Sequence, residues 1–260
     1  MTSRQLREAF HREFMTFFER AERLRRWNVF ADLDWDALSG HEPDPGLVLC
    51  AETFCGVEMY LPDYLRSHLD LMRGDYGRAW FAANWGYEEA KHSLVLREYL
   101  RRSGARTEDQ LSEYAESVLR RQWTAPYDDG RRMTVYGALQ ELTTFVIYRK
   151  QREWATRRGD PVLPEVYRLI GRDEMAHSRF YLRMLELHLA EDRPGTLADL
   201  AHVLRTFRMP AEDLLTGYAD RIEVMRTAGI DRGVFLAEVA LPLLRGLGLT
   251  RHDLPWQPVG

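Results

Sequence analysis

Three segments of the sequence have the form Glu-x-x-His: Glu8–His11, Glu89–His92 and Glu174–His177. In a helix, residues three apart lie on one face, so both side chains of such a pair can reach a single metal ion. The motif alone is weak, because a chain with this many glutamates and eight histidines has roughly one such pair by chance. A second feature of the sequence is therefore needed to distinguish a metal site from a chance match.

Two of the three pairs share a second regularity, a lone glutamate on the preceding helical segment. Glu58 lies 31 residues before Glu89, and Glu141 lies 33 residues before Glu174. No such partner accompanies Glu8–His11, which we interpret as a chance match. A single glutamate is most often a solvated surface residue, but six residues in a duplicated register favour a metal site. The predicted ligands are Glu58, Glu89, His92, Glu141, Glu174 and His177.

Helices must position these side chains, since apolar residues recur at helical spacing and no clear alternating strand pattern is present. The sequence predicts an all-α protein with two or three shorter helices after Arg193, broken at Pro194-Gly195, Pro210 and Gly229. Longer helices are predicted at about 4–26, 46–73, 76–102, 133–157 and 163–190, with a shorter one at about 107–123.

An antiparallel hairpin brings the ligands of each half together. Glu58 lies about 16 residues before the turn at Gly74 and Glu89 about 15 after it, so both lie at a similar height. The second hairpin repeats the layout. We therefore expect a ferritin-like four-helix bundle in one domain, 1–260, with a core at about 46–190 and flanking helices in 1–45 and 191–260. Two divalent cations, iron or manganese, would balance four buried carboxylates.

Composition excludes several other classes of protein. Charged residues make up 29% of the chain and the net charge is −4, which argues against nucleic acid as the main partner. No apolar run approaches the roughly 18–20 residues that span a bilayer, and no signal-peptide pattern opens the sequence, so we expect a cytoplasmic protein. The two cysteines, Cys50 and Cys55, are expected to be small buried hydrophobic residues.

Local clusters of arginine leave two interpretations open. They are most simply solvated helix faces, although they could also contact an acidic protein partner. The clustered residues are Arg23, Arg25 and Arg26, and then Arg120 and Arg121.

The sequence resembles the soluble acyl-carrier-protein desaturases, the family of stearoyl-ACP desaturase, over about residues 20–260. The resemblance is carried by a combination of segments that is more specific than two Glu-x-x-His motifs. These are Glu58 in EMYLPDY, Trp85 with Glu88-Glu89-x-x-His92, Gln140-Glu141-x-x-Thr144, Asp173-Glu174-x-x-His177, and Met209-Pro210-Ala211. The family usually has arginine before each motif histidine, where this chain has Lys91 and Ala176.

The resemblance implies an enzyme that uses two reduced iron ions and O₂ to remove two hydrogens from an acyl chain bound to acyl carrier protein. It also implies a ferredoxin electron donor, a homodimer, and the six glutamates and histidines above as metal ligands. Chain length and regiochemistry depend on a tunnel that side chains such as Met59, Phe81, Phe145 and Met175 could shape.

Further residues acquire expected roles by the same resemblance. Thr144 matches a threonine on the oxygen-binding side that could relay protons, although a mid-helix threonine is also commonly bonded to its own helix. Asp173 is expected to hydrogen-bond His92, and Glu88 to do the same for His177. Trp27 matches a tryptophan on the electron path; Trp35 is the competing candidate, and packing would explain either.

Two other functions remain compatible with these residues. The same metal centre could hydroxylate or otherwise oxidise a carrier-bound intermediate, because the oxidant can return oxygen to the substrate. A ferritin-like iron-binding or scaffold protein without catalysis could also retain the bundle.

Overall fold

The computed structural model describes residues 3–210, 215, 217–227, 229 and 231–255, and it is helical with no strand among those residues. The predicted all-α, ferritin-like class is confirmed. The main helices are α1 Arg4–Leu24, α2 Pro45–Glu58, α3 Leu61–Met72, α4 Tyr76–Arg102, α5 Glu108–Leu119, α6 Gly130–Arg158, α7 Leu163–Glu191, α8 Arg193–Thr206 and α9 Tyr218–Thr227. Then follow α10 Arg232–Val234, a π-helical stretch Phe235–Ala240 and α11 Leu241–Gly246. Ala211, part of the resemblance, lies outside the described residues.

The predicted continuous helix at 46–73 is wrong, because the structure ends α2 at Glu58 and begins α3 at Leu61. Pro62 is responsible: it has no N–H to donate to the carbonyl of Glu58, and its ring would clash with that carbonyl in a continuous helix. Next to the break, the hydroxyl of Tyr64 donates a hydrogen bond to the carbonyl of Val57 at 3.2 Å. Glu58 therefore occupies the last turn of a helix that stops beside the predicted metal site.

Two antiparallel hairpins form the bundle. In the first, α2 and α3 pack on α4, and in the second α6 packs along α7, while α4 also contacts α7. Gly159 ends α6 in the left-handed region at φ 72°, where glycine has no steric penalty. Asp160 then accepts hydrogen bonds from the amides of Val162 and Leu163 at 3.0 and 2.7 Å, which fixes the start of α7. The register of the second hairpin is thus set by its turn.

Helix α1 lies across α4 and α7 and closes one side of the bundle. Its own side chains Phe10 and Phe14 are buried. A Cβ placed on Gly77 of α4 would lie only 2.6 Å from the backbone nitrogen of His11, so the two helices approach each other too closely for a larger residue. None of the described helices is both long and apolar enough to cross a membrane.

We predict that Gly77→Ala lowers the free energy of unfolding by about 1–3 kcal/mol, because the added methyl group meets α1 backbone, which cannot rotate away. Urea unfolding measures the change. The control is Gly171→Ala in α7, where the new Cβ would make ordinary contacts of 3.8 Å with Phe145 and Tyr148. Equal stability of both variants would contradict the close contact between α1 and α4.

Candidate metal centre

The six predicted ligands come together inside the bundle, where each is at most 5% exposed. They form two groups of potential donor atoms, each group lying within 4.8 Å. One group is Glu58, Glu89, His92 and Glu174, and the other is Glu89, Glu141, Glu174 and His177. Because Glu89 and Glu174 belong to both groups, these two carboxylates are placed to bridge two ions.

The imidazoles present the same nitrogen to the shared carboxylates. His92 Nδ1 lies 3.6 Å from Glu89 Oε2 and 3.5 Å from Glu174 Oε1. His177 Nδ1 lies 3.1 Å from Glu89 Oε1 and 3.2 Å from Glu141 Oε2. Both Nδ1 atoms therefore point toward the place where a cation would be held.

In the absence of metal, protons compensate the buried charge. Burial, followed by the charge of Glu89, raises the pKa of both Glu58 and Glu174 well above the ordinary carboxylate value. Burial opposes protonation of His92, but the charge of Glu89 prevails and raises its pKa to about 10. Burial also opposes protonation of His177, but hydrogen bonds that its ring N–H groups donate to carboxylates prevail and raise its pKa well above the ordinary value. His92 therefore carries a proton at neutral pH that would compete with a metal ion, and the raised pKa values of Glu58 and Glu174 favour their protonated forms.

The donor set fits two metal ions. Buried polar atoms with no hydrogen-bond partner among the described residues include Glu89 Oε1, Glu174 Oε1 and His92 Nδ1. Leaving such atoms unsatisfied is costly, and divalent cations satisfy both their lone pairs and their charge. Carboxylate oxygen with imidazole nitrogen is a donor set that iron and manganese accept. A pair of iron or manganese ions therefore fits this cluster.

The third Glu-x-x-His pair lies elsewhere. Glu8 is paired with Arg4 at 2.9 Å on the exposed side of α1, and the His11 ring packs against Tyr76 at 4.6 Å. Neither residue belongs to the described groups that could hold a metal.

The outer nitrogen of each histidine faces an acid, but the two sides are unequal. Glu88 Oε2 lies 2.7 Å from His177 Nε2, the contact expected from the sequence. Asp173 Oδ2 lies 3.6 Å from His92 Nε2, which is beyond hydrogen-bond distance. Asp173 instead accepts a hydrogen bond from Trp27 Nε1 at 2.7 Å. Trp35 donates to the carbonyl of Val29, so of the two candidate tryptophans only Trp27 contacts the acid beside His92.

Arg25 is the largest departure from the sequence prediction. We expected a solvated helix face, but its guanidinium is buried and bonds Asp173 Oδ1 at 2.6 Å and Glu88 Oε1 at 2.9 Å. Arg26 also contacts Glu88 Oε1 at 2.5 Å. The solvated interpretation is wrong for these two residues because the end of α1 turns them toward the buried acids. Arg23, in contrast, is exposed and pairs with Glu19.

Lys91, where the resembling family has arginine, lies in the same layer as Arg25. Its Nζ is 4.5 Å from the centre of the Trp27 ring and 4.0 Å from Asp173 Oδ2. The side chain is buried, so this cation faces the tryptophan and the acid with little solvent screening.

Side chains of α6 contact the glutamates from the opposite side. The Thr144 hydroxyl lies 3.0 Å from Glu174 Oε2 and also 3.0 Å from the Glu141 carbonyl, so its single proton can serve either acceptor. Tyr148 donates to Glu58 Oε1 at 2.8 Å. Tyr148 was not predicted, although it lies seven residues after Glu141 on the same helical face. From α4, Trp85 donates a hydrogen bond to Glu141 Oε1 at 3.1 Å.

The four side chains named as tunnel candidates have different surroundings. Phe145 and Met175 line a groove on the outer side of α7. Phe81 instead stacks on Phe180 at a centroid distance of 3.7 Å in the core, and Met59 is half-buried at the break after α2. These side chains therefore do not all face one space.

Fold and site together define a helical-bundle protein with a buried cluster of glutamates and histidines into which two metal ions would fit. Residues 48–237 match the family model described as fatty acid desaturase. The chain belongs to this family, and the resemblance seen in its motifs is confirmed.

Curated relatives carry the name stearoyl-[acyl-carrier-protein] 9-desaturase. The chloroplastic desaturase 6 of Arabidopsis thaliana is 31% identical over 167 residues, covering 60% of this chain and 42% of the relative. The chloroplastic protein of Elaeis guineensis is 24% identical over 251 residues, covering 89% of this chain and 58% of the relative. The chain thus spans about half the length of these relatives.

Solved structures share the fold at low identity. DesA2 of Mycobacterium tuberculosis H37Rv, named as an acyl-ACP desaturase, has a TM-score of 0.63 at 20% identity and is matched over 96% of this chain and 99% of its own. An R2-like ligand-binding oxidase with a manganese–iron cofactor has a TM-score of 0.58 at 17% identity, with 93% of each chain covered. Both similarities establish the fold alone.

Metal binding is predicted to release protons, and the apparent affinity to fall as the pH is lowered below 7. The reason is that the pKa values of Glu58, Glu174 and His92 are raised, so that their protonated forms are favoured and protons compete with the cation for these groups. Titration calorimetry with Mn²⁺ in buffers of different ionisation enthalpy counts the protons. His11→Ala is the control and should bind as the unmodified protein does; metal uptake without proton release would contradict the prediction.

Arg25→Gln is predicted to weaken metal binding about 10- to 100-fold, as expected when groups that orient a metal ligand lose their own partner. The change leaves Glu88 and Asp173 without their main buried counter-charge. Arg23→Gln, two residues away and exposed, is the matched control. Equal metal affinity of the two variants, both folded by circular dichroism, would show that Arg25 does not position the acids.

Proposed function

We propose that this protein is an O₂-dependent desaturase that introduces a double bond into an acyl chain carried as a thioester on acyl carrier protein. The observation that supports it most directly is the contact between Thr144 and Glu174 Oε2 beside a cluster of two shared and two lone glutamates. The desaturase names of the curated relatives support the substrate class.

The proposed ligands are the six residues of the cluster: Glu89 and Glu174 belong to both groups of donor atoms, and Glu58, His92, Glu141 and His177 each belong to one. When bound, two reduced iron ions, or manganese in place of iron, would activate O₂, which is the oxidant, with electrons that an external donor supplies. Tyr148 and Trp85 each donate a hydrogen bond to a lone glutamate and so restrict its rotation. Glu88 holds a proton on His177 Nε2, which leaves Nδ1 free to bind metal.

We assign Thr144 the role of holding a proton beside Glu174, on the oxygen-binding side that the family resemblance implies. Its hydroxyl can turn from the carbonyl of Glu141 to Glu174 Oε2, since both lie 3.0 Å away. That rotation redirects the hydroxyl hydrogen from the carbonyl to the carboxylate without moving the helix. The same residue thus satisfies both interpretations of the sequence, the bond to its own helix and the relay.

Electrons are proposed to enter on the opposite side, through Trp27, Asp173 and His92. The tryptophan donates to Asp173 Oδ2, and the same oxygen is 3.6 Å from His92 Nε2. A ferredoxin is the electron donor that the family resemblance implies. Lys91, over the ring of Trp27, would stabilise negative charge arriving there.

A second function, oxygenation of a carrier-bound chain, is favoured by the R2-like oxidase fold, which shares the bundle with a TM-score of 0.58. The cluster alone does not separate oxygen insertion from hydrogen removal, because both use the same ligands. The mass of the reaction product distinguishes oxygen insertion from hydrogen removal.

The expected result with iron-loaded, chemically reduced protein, O₂ and a panel of acyl-ACPs is a product lighter than its substrate by two hydrogens. Mass spectrometry of the released chains measures it. His177→Ala, which removes one ligand, should lose the activity, whereas His11→Ala should keep it. A product heavier by one oxygen atom would replace desaturation with hydroxylation, and unchanged chains of every length would contradict both.

A further inference from the structure

A groove runs along the outer side of α7, between α1 and α6, with a volume of about 650 Å³. Its floor is largely apolar and includes Phe17, Phe145, Met175 and Phe180. The residues of α7 that line it run from Tyr167 to Arg183, a length of about 24 Å at ~1.5 Å per residue. The volume lies within the range of pockets that hold small molecules.

The rim of this groove has a charge opposite to that of the chain as a whole. Eight arginines and one acidic residue, Glu13, line it among the described residues, although the whole chain has a net charge of −4. Arg20, Arg152 and Arg179 line the groove and form no salt bridge with any described residue. The buried Nε atom of Arg172, which also lines the groove, has no hydrogen-bond partner among the described residues. These four arginines therefore have donors available for an anion, whereas the other four are paired with acidic side chains.

We propose that this groove binds a long-chain amphipathic anion, with the hydrocarbon on the aromatic and methionine floor and a carboxylate head group among the arginines. Guanidinium groups bind carboxylates through charge-assisted, paired hydrogen bonds, and the floor gains from removal of apolar surface from water. Neither half of the groove alone specifies such a ligand. The apolar floor would exclude a small hydrated anion, and the arginine rim would not favour a neutral hydrocarbon.

This site is distinct from the metal cluster. Glu174 and His177 point into the bundle from α7, whereas Arg172, Met175 and Arg179 line its outer side. The two are nevertheless neighbours, because Arg25 lines the groove and also bonds Glu88 and Asp173.

A second copy of the chain is a poorer occupant of the groove. In a two-fold symmetric pair with this face at its centre, the arginine rims would oppose each other, and like charges repel. An acidic polypeptide would satisfy the rim, but it has no long hydrocarbon to fill the floor between Phe17 and Phe145. The concave apolar floor therefore favours the amphipathic anion.

The test is direct binding of dodecanoate to the metal-loaded protein by titration calorimetry, which does not depend on turnover. The variant Arg20→Glu/Arg179→Glu reverses two exposed, unpaired rim charges, and we expect it to weaken binding by roughly tenfold or more. The matched control, Arg12→Glu/Arg157→Glu, makes the same change in net charge at exposed arginines outside the lining of the groove and should bind as the unmodified protein does. Acetate and methyl dodecanoate, which lack the chain or the charge, should bind at least tenfold more weakly than dodecanoate.

Several outcomes would overturn the proposal. Equal dodecanoate binding by both double variants would place the carboxylate elsewhere, for example on the metals. Methyl dodecanoate binding as tightly as dodecanoate would remove the role of the arginines. Binding of polyglutamate without binding of dodecanoate would assign the groove to an acidic polypeptide instead.

Discussion

The whole arrangement depends on the neutralisation of four carboxylates buried within reach of one another. Glu58, Glu89, Glu141 and Glu174 cannot all be ionised in a bundle interior unless positive charge is present, and the structure provides only two imidazoles inside the cluster. Protons can supply the balance in the metal-free protein, and two cations can do so in the loaded protein. This constraint explains why long helices are needed: they bring acids from four different segments to one height while keeping water away.

The two halves of the bundle are similar in the ligands but different around them. His177 has a close carboxylate partner in Glu88 at 2.7 Å, whereas Asp173 stands 3.6 Å from His92 and is bonded to Trp27 and Arg25. One histidine is therefore fixed directly by its acid. On the other side the acid is bonded to a buried indole and a buried guanidinium, a difference that a symmetric duplication of helices would not produce by itself.

Sequence patterns predicted the parts of this structure that follow from local rules. Helical periodicity located the long helices, and the matched spacing of the glutamates located the cluster, because a hairpin converts spacing along the chain into proximity. The break after Glu58 followed from Pro62 but was missed, since the apolar pattern continued through it. Arg25 could not be predicted, because its partners Glu88 and Asp173 lie 63 and 148 residues away and no local pattern connects them.

Helix α1 links these features, although it lies outside residues 48–237 that match the family model. Its end places Arg25 between the two acids behind the histidines, and its side forms one wall of the arginine-lined groove. The close approach at Gly77 holds the helix against α4. A displacement of α1 would therefore change the counter-charge of Glu88 and Asp173 and the shape of the groove together, so the bundle supplies the ligands while this helix sets the charge around them.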